Sequence, residues 1–135
     1  MALLRWSKKY SVGVKAMDDQ HIALVRILNE MHSEFEKGQA QSATGKLLRK
    51  LTEYAHTHFS SEEEMLASAG FPGLEQQREQ HRELLRQLDE YGTRYQQGDQ
   101  TVYLPLLFFV RDWLTTHMLK EDKEYGPWMN KLGIH

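Results

Sequence analysis

Four stretches of this 135-residue chain carry apolar residues at spacings of three and four, and almost nothing alternates with the period of a strand. Such spacing lays one apolar stripe along a helix, and four stripes of similar length must bury one another. The first stripe holds Ile22, Leu24, Val25, Leu28, Met31 and Phe35, with Asp18 as the expected N-cap and Lys37-Gly38 as the stop. The second runs from about Ser42 through Leu47, Leu48, Leu51, Ala55, Phe59, Met65 and Leu66 to the breaker "SAGFPG". The third spans about Leu74 to Gln97, with Leu84, Leu85, Leu88, Tyr91 and Tyr95 on its stripe. The fourth starts near Pro105, carries Leu106, Phe109, Val110, Trp113 and Leu114, and runs to about Asp122. Short connections make neighbours antiparallel. The expected fold is all-α: an up-down-up-down four-helix bundle in one domain over 1–135, with an N-terminal arm and a short C-terminal tail.

Composition then removes whole function classes. Cysteine is absent, so thiolate nucleophiles, disulfides and zinc–thiolate sites are out, and histidine and carboxylate are the remaining metal donors. The net charge is -2 with scattered lysine and arginine, which gives no electrostatic footprint for nucleic acid. No apolar run approaches the roughly 20 residues of a membrane span, and the first residues lack the pattern of a signal peptide. A cytoplasmic protein, monomeric and without nucleic-acid or membrane partners, is expected.

What the stripes bury is the informative part. His58 and Glu62 stand four apart, in register with Leu51, Ala55 and Met65, so both project inward on successive turns. His21 precedes Leu24, Val25 and Leu28 on the first stripe; His81 precedes Leu84 and Leu88; His117 follows Val110 and Trp113. Each helix thus offers one inward histidine. Burying such groups without a partner costs several kcal/mol, so a metal or counter-charge is required. Imidazole suits iron, copper or zinc, and two carboxylates able to bridge make a dinuclear site economical. Glu62 supplies one. For the other, spacing prefers Glu121, four residues after His117; Asp122, five after, lies about 140° round an ideal helix unless a π-bulge or a helix end intervenes.

The remaining polar residues have plainer readings. His56 lies roughly 160° from His58 and points outward. His32 is about 16 Å from His21 along the axis and is expected to be a hydrogen-bonded seam residue, and His135 a frayed end. Glu53, Glu63, Glu64, Glu79 and Glu83 are expected to form solvated faces. Phe59, Trp113, Leu114 and Met118 read as core; beside a metal they would also form a dry wall that slows proton entry and the loss of bound oxygen.

Several short motifs occur in order along nearly the whole chain: "DDQH" at 18–21, "HFSSEE" at 58–63, "GFP" at 70–72, "QREQH" at 77–81 and "WLTTHMLKEDKEYG" at 113–126. Together with Trp6 and "YSVGV" at 10–14, they resemble the bacterial hemerythrins. The resemblance implies a non-haem pair of iron ions, bridged by an oxide or hydroxide, that binds dioxygen reversibly at one iron. Carried over by position, His21 and His58 would serve that iron, His81 and His117 the other, and Glu62 and Asp122 would bridge both. The fourth-helix motif, a histidine followed at the fifth place by aspartate, decides for Asp122. One position departs from the pattern. The family histidine four residues before His81 is Gln77 here, a candidate ligand through its amide oxygen or a residue that positions a water. A weakened second site would admit a different reading, a di-metal oxidase or peroxidase-like enzyme, or one reacting with nitric oxide or peroxide.

Overall fold

A computed structural model describes residues 2–38 and 40–135, with the side chains of 40–43 left aside. Its helices are α1 (Lys15–Glu36), α2 (Ala40–Ser68), α3 (Leu74–Gln96), α4 (Tyr103–His117) and α5 (Lys123–Lys131), and there is no strand among the described residues. α1 packs along α2 and α2 along α3, and α4 closes the bundle against α1 and α3. A π-helical segment, Met118–Asp122, joins α4 to α5 without a break in the rod.

The core follows the stripes. Leu24, Val25, Leu28, Leu51, Ala55, Leu84, Leu88, Leu106, Val110 and Leu114 form one cluster. Val12, Val14, Met17, Leu66, Tyr125 and Met129 form a second, smaller one. Between Met17 and Leu24 on α1, and between Ala55 and Leu66 on α2, the stripes pass through buried His21, His58 and Glu62. A polar layer therefore divides the apolar interior.

The helix starts differ from the expected ones. Asp18 does not cap α1, which begins three residues earlier at Lys15 with Val14 as its N-cap. The Asp18 carboxylate instead accepts from the Val12 N–H at 2.8 Å and the Ser11 hydroxyl at 2.6 Å, and so ties down the arm. The short C-terminal tail is helical: "YGPWM" lies within α5, and the helix carries on through Pro127. α4 also begins at Tyr103 rather than Pro105, and α2 at Ala40 rather than Ser42.

The arm matters because it braces the far end of the bundle. Leu4 exchanges two hydrogen bonds with the Asn29 amide at 3.0 and 2.8 Å, and Asn130 donates to the Gly13 carbonyl at 3.0 Å. Where the arm crosses α5, a Cβ at Gly126 would overlap the Val12 carbonyl oxygen. Neither piece of backbone yields cheaply. Gly126→Ala is expected to destabilise the fold by about 1–3 kcal/mol. Gly92, inside α3, is the contrast, since a Cβ there meets only Leu48 Cδ2 at an ordinary 3.5 Å. Gly92→Ala should stabilise by about 0.5–1 kcal/mol through helix propensity. Urea titration of both variants checks the opposite signs, and equal effects would refute the close approach at Gly126.

Candidate metal centre

All four helices and the π-segment feed one buried layer. His21 comes from α1, His58 and Glu62 from α2, Gln77 and His81 from α3, His117 from the end of α4, and Asp122 from the π-segment, each 3% exposed or less. The two carboxylates each reach in two directions. Glu62 Oε2 lies 3.5 Å from His21 Nε2 and 3.6 Å from His58 Nε2, while its Oε1 lies 2.9 Å from His81 Nε2. Asp122 Oδ2 lies 3.1 Å from His21 Nε2, and its Oδ1 lies 2.9 Å from His117 Nε2. Donor atoms of His21, His58 and Glu62 lie within 4.8 Å of one another, as do those of Glu62, His81 and His117. Glu62 belongs to both groups.

Asp122 owes its place to the backbone. The wider i→i+5 turn of a π-segment rotates the fifth residue after His117 inward, where an α-helix would have presented the fourth. Glu121 accordingly falls outside the layer: its Oε2 is 3.9 Å from His117 Nδ1, on the far side of the imidazole.

The two carboxylates set the charge states of the layer. Burial alone would raise the Glu62 pKa, but His21, His81 and His58 outweigh it and hold the carboxylate well below its usual range. Burial opposes charge on His21 too, yet Asp122 and Glu62 overcome it and lift the imidazole to about 10. His58, for which burial dominates, is pushed down to about 4. His117 is raised like His21, its burial overcome by Asp122 and Glu62, so the carboxylates draw positive charge into the layer from both sides. Both ring nitrogens of His21 and of His117, Asp122 Oδ2 and Gln77 Oε1 are buried without a hydrogen-bond partner. Buried polar atoms are rarely left so. Imidazole nitrogens close to shared carboxylates but not hydrogen-bonded to them are the donor set of a dinuclear metal site, and the residues present fit one.

A surrounding set of contacts fixes these donors, and the sequence reading passed over it. His58 Nδ1 meets Gln20 Oε1 at 2.6 Å, and His81 Nδ1 meets Glu63 Oε2 at 2.8 Å, so the Nε2 atoms face inward. Glu63 is thus no solvated acid; Arg78 Nε also donates to it, at 3.3 Å. Tyr125, whose hydroxyl pKa burial and the nearby carboxylates drive far up, donates to Glu62 Oε2 at 2.8 Å. "DDQH" and "HFSSEE" held Gln20 and Glu63 beside the ligands, but Tyr125 is 63 residues from Glu62 and carries no spacing signal. Of the expected wall, Phe59 stacks on His81 at 3.9 Å and Trp113 on His117 at 4.4 Å between ring centroids. Leu114 and Met118 are buried alongside. His56 is exposed as expected, and His32 Nε2 sits 3.4 Å from Glu36 at the bundle's edge.

Gln77 is the exception among the donors. Its Nε2 donates to Asp122 Oδ1 at 3.1 Å, and this leaves Oε1 as the amide's one unpartnered atom.

Comparison with known proteins gives the family. The family model described as "Hemerythrin HHE cation binding domain" matches residues 12–129. The chain is 32% identical to a bacteriohemerythrin of Methylococcus capsulatus over 94% of this chain and 97% of that one. With a bacteriohemerythrin of Stenotrophomonas maltophilia it shares 28% identity over 93% and 81% of the two chains. A crystal structure of wild-type hemerythrin superposes with a TM-score of 0.88 at 31% identity, over 95% of this chain and 98% of that one. The chain belongs to the hemerythrin family of non-haem di-iron oxygen-binding proteins. No helix among the described residues is long and apolar enough to cross a membrane.

Proposed function

We propose that this chain stores, delivers or senses dioxygen at a di-iron centre held by His21, His58, Glu62, Gln77, His81, His117 and Asp122. The observation that carries the reading is the division of each carboxylate between two imidazole groups. When bound, the iron pair would supply the electrons for reversible oxygen binding. The chain's own residues supply the rest. Glu62 and Asp122 hold the charge that two cations need. Gln20 and Glu63 keep the Nε2 atoms of His58 and His81 aimed inward. Phe59, Trp113, Leu114 and Met118 keep bulk water from the layer, which is the condition for carriage rather than loss of the ligand as superoxide. All donors come from one chain, so a monomer is sufficient for the site.

Loading the protein with ferrous iron without air, then cycling air and argon, tests the function. A visible charge-transfer band that appears with air and disappears under argon over repeated cycles is expected. Irreversible bleaching with turnover of peroxide would instead make the protein an oxidase.

Glu63 yields a separate expectation. Glu63→Gln removes the anionic partner of His81 Nδ1 and should weaken iron retention by about 10- to 100-fold, measured by competition with a ferrous chelator. Retention equal to that of the parent would return Glu63 to the status of a surface acid.

A further inference from the structure

The outer face of α4 is apolar where solvent should meet polar residues. Of the seven large apolar side chains exposed among the described residues, three lie on one stripe of this rod: Leu104 at 36%, Phe108 at 41% and Leu119 at 42%. Thr115 and Arg111 continue the stripe, with Asp112 at its edge. Elsewhere Phe35 stacks on the Tyr103 ring, and Trp128 donates its indole N–H to the Ala69 carbonyl. Leu104 and Leu119 stay exposed among the described residues.

The order of residues along the stripe is self-complementary. When a second α4 is laid antiparallel with its two-fold axis between Arg111 and Asp112, Leu104 faces Leu119, Phe108 faces Thr115 and Arg111 faces Asp112. Each match occurs twice, as an isologous contact requires. From Leu104 to Leu119 the stripe runs about 22 Å at the helical rise of about 1.5 Å per residue, long enough for four turns to meet four turns. In the single chain Arg111 folds back, its guanidinium 4.9 Å above the Phe108 ring and its Nε 2.9 Å from its own Asp112. Both groups are therefore already beside the axis, and exchange of partners across it keeps every charge paired.

We propose that α4 is a self-association face on which two copies of this chain pair antiparallel through Leu104, Phe108, Arg111, Asp112, Thr115 and Leu119. The contact is small, so a weak, reversible dimer is expected. The pairing is independent of the metal reading, because none of its residues belongs to the buried layer.

Sedimentation velocity on the purified protein from about 10 µM to about 1 mM tests it. The parent should pass from monomer to dimer across that range. Phe108→Glu should stay monomeric. Arg111→Asp and Asp112→Arg place like charges opposite each other twice, and each should weaken dimerisation at least about tenfold. An equimolar mixture of these two variants restores opposite charges at both positions, and a heterodimer should form. A parent that stays monomeric at about 1 mM overturns the proposal and leaves the face to a different partner. So does a dimer that Phe108→Glu leaves intact, or a mixture of the two charge variants that fails to pair.

Discussion

Glu62→Ala is expected to lower iron content from two per chain to near zero. Glu62 faces three imidazoles, His21 and His58 through Oε2 and His81 through Oε1, where Asp122 faces two. Its loss removes a ligand from both ions at once and leaves the cationic load of the pocket on Asp122 alone. A hole in the layer also threatens the fold, so the sharper variant is Glu62→Gln. It keeps the volume and an acceptor for the Tyr125 hydroxyl, but offers one oxygen where the bridge needs two. Iron analysis after anaerobic loading, with circular dichroism to confirm folding, decides the matter. A folded Glu62→Gln protein holding two irons would remove the bridging role.

Gln77→His carries the second large effect, in the opposite direction. Gln77 stands one turn before His81 on the same face of α3, and its amide oxygen is buried with no donor. The arrangement suits a neutral oxygen ligand whose amide N–H₂ is held by Asp122 at 3.1 Å. An imidazole there is a stronger donor to iron than an amide oxygen. Restoring it should tighten iron on the His81–His117 side by about 10- to 100-fold, the range over which a supporting group of a metal site commonly acts. The substitution also takes from Asp122 the N–H that Gln77 donates, which sets a limit to the gain. Chelator competition at the iron that the parent releases faster measures the effect. Retention within a factor of about two would mean that Gln77 already ligates as well as histidine.

The bundle was legible because helices announce themselves by period. His21, Leu24, Val25, Leu28 and Met31 are all buried on one face of α1, as spacings of three and four require. The same rule placed His58 with Glu62. It pointed to Glu121 where the structure buries Asp122, because a π-segment is a change of hydrogen-bond partner that the side-chain pattern does not encode; the preference for Asp122 came from the resemblance alone. Asp18 misled for a related reason. Capping grammar treats an acid before a helical stripe as a local partner, and this one serves the arm. Glu63 was lost in an acidic run with Glu62 and Glu64, whose members differ only in the angle at which each leaves the helix. Gly126 carries no signal of its role in the sequence, since what it provides is room for the Val12 carbonyl.

Anomalous diffraction at the iron edge from crystals of the iron-loaded protein tests the central claim most directly. Two peaks are expected inside the bundle, one against His21 and His58 and one against His81 and His117, with Glu62 and Asp122 reaching both and Gln77 beside the second. A single peak, or two peaks that do not share Glu62, would contradict the account.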